Sequence, residues 1–297
     1  MREATRALVD PVSLNNSMGR KFIPSNFIVN FVKYAILSIA TIFVLFPPFI
    51  IVINAFKSNE EYAKSGLFDL PHSFMNWDNF LVVLQVGRMG QAFVNIGIVI
   101  VMAVVCNVML GTMMAYALGR YEFRLKKMVI GLYAVAVLIP SITTQVATFS
   151  IIKHLGLFNT YYAPVLLYSG TDLVQLFLYL QFIRNIPYEI DESAMLAGAS
   201  LFRIYRAIIF PLLAPATATL VILKTIGIYN DMYTPYLYMP AQHLGVVSTT
   251  LMKFSGTHSA EWNSISAGIL IVLIPTVVLY LFLQKYIFAG IMNGSIK

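Results

Sequence analysis

Charge is scarce in this chain of 297 residues: Asp, Glu, Lys and Arg together make up 11% of it, while 59% is hydrophobic. An ordinary soluble domain carries roughly a quarter charged residues, so a water-soluble globule is excluded. Cysteine is nearly absent. The single Cys106 lies inside an apolar run, which rules out a disulfide framework, a Cys-based metal site and thiol redox chemistry. The four histidines, His72, His154, His243 and His258, are scattered along the chain, so no metal-ligand cluster is expected. The Gly-x-x-x-x-Gly-Lys-Ser/Thr phosphate loop is also missing, and with it a P-loop site for ATP. No tract of low complexity and no short-period repeat interrupts the sequence.

What the sequence has is long uncharged runs. About 20 apolar residues in a helix cross the roughly 30 Å hydrocarbon core of a bilayer. Four stretches meet that length without a charge: Tyr34 to Phe56, Gln91 to Gly119, Met128 to Ile152 and Trp262 to Gln284. Two more qualify if charges are tolerated inside them: Tyr162 to Ile183 with Asp172, and Leu212 to Leu237 with Lys224 and Asp231. The first run is too long for the apolar core of a secretory leader and no small-residue cleavage site follows it, so it is read as a span. The pattern predicts an all-α integral membrane protein with six transmembrane helices. Pro47, Pro48, Pro140 and Pro275 each remove a backbone donor and predict kinks.

The formal charge of +7 does not mark a nucleic-acid binder, because the basic residues cluster in short loops between spans. With the N-terminus inside, most of the 20 Lys and Arg fall on the cytoplasmic side, among them Arg2, Arg6, Arg20, Lys21, Arg120, Arg184 and Lys297. Only Lys57, Lys64, Arg88, Lys153 and Lys253 fall outside. The positive-inside rule therefore predicts a multi-pass membrane protein with both termini cytoplasmic. A tail of residues 1–30, a membrane domain of residues 31–290 and a tail of residues 291–297 follow, and the Asn54 to Arg88 segment becomes an external loop.

The segment Arg184 to Pro211 cannot span. Pro187 suits a helix start, Glu189, Asp191 and Glu192 sit where a helix dipole favours acids, and Gly198 allows a turn, so two short amphipathic helices are predicted. Its apolar Met195 and Leu196 suggest a partner surface. The spacing of Glu192, Ser193 and Ala194, then Gly198, then Ile208 to Pro211, resembles the EAA loop of ABC importer permeases, with Ser193 and Phe210 as conservative departures. Carbohydrate-type members usually carry an Asp where this chain has Ala197. Further matches extend over most of the chain. Tyr116 to Phe123 and Leu155 to Tyr161 resemble motifs of the family, and Tyr229-Asn230-Asp231 and the Gly290 to Lys297 ending resemble the smaller, maltose-type permease of its carbohydrate-uptake branch.

That resemblance implies the type I importer fold, with a cytoplasmic coupling helix in which Glu192, Ser193, Ala194, Ala197, Gly198 and Pro211 engage an ATPase. It implies a second permease as heterodimer partner, two ATPase subunits that bind ATP and Mg, an extracytoplasmic solute-binding protein, and a sugar or oligosaccharide as cargo. The chain itself is then no enzyme and holds no cofactor. Charges inside the membrane are costly, about 2.5 to 3.5 kcal/mol on insertion scales, and usually face the interior. Asp172 and Lys224 lie at similar depths, roughly 17 and 18 Å from their span ends at about 1.5 Å per residue. They are expected either to line a translocation path, with Tyr229, Asn230, Asp231 and Tyr233, or to pair with each other. Alternative readings are an importer permease for a non-sugar solute and an ion-coupled secondary transporter.

Overall fold

The computed structural model describes residues 24–255 and 261–295, and every regular element in them is helical. Arg2, Arg6, Arg20, Lys21, His258 and Lys297 lie outside the described residues. In chain order the helices are α1 Pro24–Ala55, α2 Asn59–Lys64, α3 Asp78–Gln85, α4 Met89–Arg120, α5 Lys126–Leu138, α6 Ser141–His154, α7 Tyr162–Ser169 and α8 Leu173–Arg184. They continue with α9 Glu189–Leu196, α10 Leu201–Ile204, α11 Phe210–Leu212, α12 Ala214–Asn230, α13 Tyr233–Tyr238, α14 Val247–Leu251 and α15 Trp262–Ser295. Helix α1 starts inside the expected N-terminal tail, and α15 continues past residue 291.

The chain divides into two compact units, residues 1–49 and 50–297. In the first, the apolar side chains of α1 such as Ile39, Ile42 and Phe43 are exposed, as suits a helix in lipid. In the second, the core is built around α4. Among the described residues, three helices are long and apolar enough to cross a membrane alone: Val29–Ala55, Met89–Arg120 and Trp262–Phe282. Three bent pairs reach that length together: α5 with α6 at 111°, α7 with α8 at 50°, and Leu201–Leu212 with α12 at 73°. Counted as one crossing each, the pairs bring the total up to six.

Proline causes two of these three bends. Pro140 cannot donate the hydrogen bond a helix needs, and it separates α5 from α6. Pro211 similarly disturbs the turn before it, which winds as a π-helix over Tyr205–Ile209, and the axis turns at Leu213. The expected uninterrupted run from Leu212 to Leu237 is corrected here: α12 stops at Asn230, because Asp231 leaves the helix and its carboxylate caps the next turn through Tyr233 N at 2.8 Å and Thr234 N at 3.2 Å.

Small residues let α4 and α8 approach closely. Gly111, Ala115 and Gly119 recur every four residues and so share one face of α4. A Cβ at Gly111 would lie 2.7 Å from Gln175 Nε2, and one at Gly119 would lie 2.8 Å from Ile183 Cγ2. At the other end of α4, Asn95 Nδ2 donates to the carbonyls of His243 and Gly245 at 3.0 and 2.8 Å, which ties the loop before α14 to the helix.

Candidate functional site

Two regions hold most of the residues singled out in the sequence. The first is the break between α7 and α8. A break within a membrane span strands backbone groups that water cannot reach, so side chains must satisfy them. Asp172 accepts from Gln175 N at 2.8 Å and so caps α8. From α4, the buried Asn107 donates to the carbonyl of Gly170 at 2.8 Å, and its own carbonyl accepts from Gln175 Nε2 at 2.7 Å. Lys224 Nζ, on α12, reaches the same Gly170 carbonyl at 3.4 Å. The expected meeting of Asp172 and Lys224 does occur, in one cavity of about 390 Å³ also lined by Asn107, Tyr168 and Gln175. No ion pair joins them at contact distance among the described residues.

One acceptor in this cavity has no partner: Oε1 of Gln175, a side chain only 2% exposed. Asp172 is exposed on the surface of the chain and Lys224 half-buried. The Gln175 carbonyl is sealed from solvent, whereas the Lys224 ammonium, held by one long bond, keeps donors free for a hydroxyl that enters the cavity. Asn107 and Gln175 were missed by sequence reasoning. Their signal was available, because uncharged amides inside apolar runs must find hydrogen bonds too.

The other expected path residues lie elsewhere. Tyr229 donates to the carbonyl of Val272 at 3.0 Å and lines, with Asn230, an apolar cavity of about 450 Å³ between α12 and α15. Asp231 and Tyr233 face a third cavity of about 420 Å³ with Gln145 and Thr148 of α6. The carboxylate of Asp231 is already occupied, since it also accepts from Tyr168 Oη at 2.8 Å and Thr234 Oγ1 at 2.6 Å. The six residues therefore do not converge on one point.

The second region is the 185–211 segment. Its two short helices appear as α9 and α10, with Gly198 between them at φ 80°, a conformation open to glycine at little cost. Glu192, Ser193, Ala197 and Gly198 are exposed, Ala194 is half-buried, and Leu196 is 91% exposed. Pro211 is exposed in α11. Asp191 differs from its neighbours. Read in the sequence as an acid that a helix dipole favours, it has a side chain 3% exposed that meets Arg120, 6% exposed, at 3.0 Å between Oδ2 and Nη2. The contact is a charge pair rather than an aligned hydrogen bond, and Arg120 Nε has no hydrogen-bond partner. Around the pair, Tyr116 Oη donates to Asp191 Oδ1 at 3.4 Å, Tyr121 Oη donates to Tyr116 Oη at 2.9 Å, and the Arg120 guanidinium stands 5.7 Å from the Tyr188 ring centre. Arg120, read in the sequence as an orientation charge and as part of the Tyr116 to Phe123 motif, is thus part of the fold.

Outside the spans, burial and the neighbouring Arg88 hold the Lys253 ammonium below the usual lysine range. Among the described residues no group of three or more His, Cys, Asp or Glu side chains gathers as a metal site would.

The fold matches a permease chain in the crystal structure of a bacterial ABC transporter that imports the acidic polysaccharide alginate, with a TM-score of 0.77 over 88% of this chain and 97% of that one, at 20% identity. The architecture is therefore that of an ABC importer permease. In sequence the chain is 30% identical over 253 residues to the melibiose, raffinose and stachyose import permease MelC of Bacillus subtilis, covering 84% of this chain and 91% of that protein. It is 31% identical over 254 residues to a probable permease for starch degradation products, AmyC of Thermoanaerobacterium thermosulfurigenes, with coverage of 84% and 91%. No family model matches the chain. On these relatives, the chain belongs to the permease subunits of the carbohydrate-uptake family of ABC importers.

Proposed function

We propose that this chain is one of two different permease subunits of an ATP-driven importer that carries a sugar or oligosaccharide into a bacterium. It crosses the inner membrane six times, each bent pair counting as one crossing, with both termini and the 184–211 loop in the cytoplasm. Residues 31–290 form the membrane domain, and residues 1–30 and 291–297 lie at its cytoplasmic side. Helix α9 is the coupling helix. Through Glu192, Ser193, Ala194, Ala197 and Gly198 it docks on one of two partner ATPases, which bind the ATP and Mg, and Pro211 lets the chain re-enter the membrane. An extracytoplasmic binding protein delivers the cargo. The observation that carries this reading is an apolar helix tip, Leu196, held almost fully exposed on a chain whose relatives are named sugar permeases.

The cargo passes the break between α7 and α8. Asp172 and Lys224 reach the surface of the chain within spanning segments, a placement that would be costly against lipid and is tolerated against a wet path or a second permease. Lys224 donates to a sugar hydroxyl there, while Tyr229, Asn230, Asp231 and Tyr233 line flanking parts of the same route. An ion-driven transporter would work alone and without ATP.

Reconstitution with the partner subunits in liposomes tests both statements. Uptake is expected only with ATP available to the ATPases, and Lys224→Gln is expected to lower it about fivefold, the scale of one lost hydrogen bond to a substrate. Unchanged uptake in that variant removes this cavity from the path. Uptake by the isolated chain down an ion gradient removes the importer reading itself.

A further inference from the structure

Helix α9 is attached to the chain through turns at both ends, Asn185 to Tyr188 before it and Ala197 to Ser200 after it, the latter containing Gly198 at positive φ. Turns are hinges, so a helix fixed only by them would swing when pushed and pass little of the push on. What fixes α9 sideways is α4. Thr112, Tyr116 and Arg120 recur every four residues and so form a polar stripe along the last turns of that helix. Tyr205, in the π-helical turn after α10, meets Thr112 at 2.8 Å, and Asp191 of α9 meets both Tyr116 and Arg120.

We infer that the buried Arg120–Asp191 pair is the joint through which α9 moves α4, with Arg120, Asp191 and Tyr116 as positioning residues for coupling. This rests on the reading of α9 as the helix that docks on an ATPase. Two properties suit the pair to that task. Separating it would leave two buried charges without partners, so it resists extension far more than an exposed contact does. Helix α4 is also an unbroken rod of 32 residues from Met89 to Arg120, and it carries Asn107, which holds both the Gly170 carbonyl and the Gln175 amide at the cavity. A displacement at Arg120 therefore reaches Asn107, about 20 Å away along the helix at 1.5 Å per residue, without crossing a hinge. The same geometry explains why an Arg at the end of the second span and an acid at the start of the loop helix belong together, although 71 positions separate them in the chain.

The test uses the permease reconstituted in liposomes with its ATPase partners and binding protein, and reads ATP hydrolysed and substrate taken up in the same sample. Asp191→Asn is expected to keep hydrolysis within about twofold of wild type while uptake per ATP falls about tenfold, a typical coupling between sites. Arg120→Lys keeps the charge but loses the fork and is expected to fall between. The exchange of Arg120→Asp with Asp191→Arg is expected to regain part of the ratio. A purely structural role would lower hydrolysis and uptake together through loss of complex and leave their ratio unchanged. An unchanged ratio in Asp191→Asn overturns the inference, and Arg120→Lys decides in the same way should Asp191→Asn not assemble. A wild-type complex without ATP-driven uptake overturns the docking reading instead, and the joint with it.

Discussion

Replacing Leu196 by Glu is expected to reduce ATP-driven uptake by about a hundredfold, the scale on which a central docking residue acts when its burial is lost. The side chain is 91% exposed in the isolated chain, so the substitution removes no packing there and the chain should melt at an unchanged temperature. In a docked complex the same position would be covered, and a carboxylate forced into an apolar cleft without a partner is costly. Reduced uptake with an unaltered melting curve would mark α9 as a contact surface. Wild-type uptake would mean that nothing covers Leu196.

Asn79→Ala should produce the largest loss of stability. Asn79 Nδ2 donates to the carbonyls of Ala55 and Lys57, both at 2.8 Å, and its Oδ1 accepts from Asn263 Nδ2 at 2.9 Å. One amide thus joins the end of α1, the start of α3 and the start of α15 in a buried knot. Truncation strands two or three polar groups at about 1 to 3 kcal/mol each, so a loss of at least about 2 kcal/mol is expected in thermal or denaturant unfolding of the detergent-solubilised protein. Asn79→Asp, which sets a carboxylate oxygen against the Ala55 and Lys57 carbonyls in a buried site, should lose at least as much. A melting temperature within error of wild type for Asn79→Ala would contradict the knot.

Much of this molecule could be read from the sequence because a bilayer leaves the chain few choices. Runs such as Gln91 to Gly119 had to be helical, and α4 was expected almost to its ends and α15 from its first residue. The two short helices around Gly198 were legible too, because an acid-rich first turn and a glycine are local signals. What could not be read depended on neighbours far along the chain. Asp172 looked like a charge in the middle of a span, whereas it caps a helix that begins there, and the break is held together by Asn107 from another helix. Asp231 likewise ends α12 where hydropathy alone ran the span on to Leu237. Asp191 and Arg120 each had a satisfactory local explanation, as a dipole acid and as an orientation charge, and only their packing in space shows a buried pair. Local chemistry gave the elements, and tertiary contact assigned the polar residues among them.

Cysteine crosslinking offers the most direct measurement of the central claim, that α9 lies in the cytosol against an ATPase. Cys106 is the only native cysteine, so Cys106→Ser with the exposed Ser193→Cys gives a single reactive position on α9. In whole cells this position should resist membrane-impermeant thiol reagents, and in the assembled transporter it should crosslink to a nucleotide-hydrolysing subunit. Labelling from outside the cell, or a crosslink to no such subunit in a complex that still transports, would contradict the account.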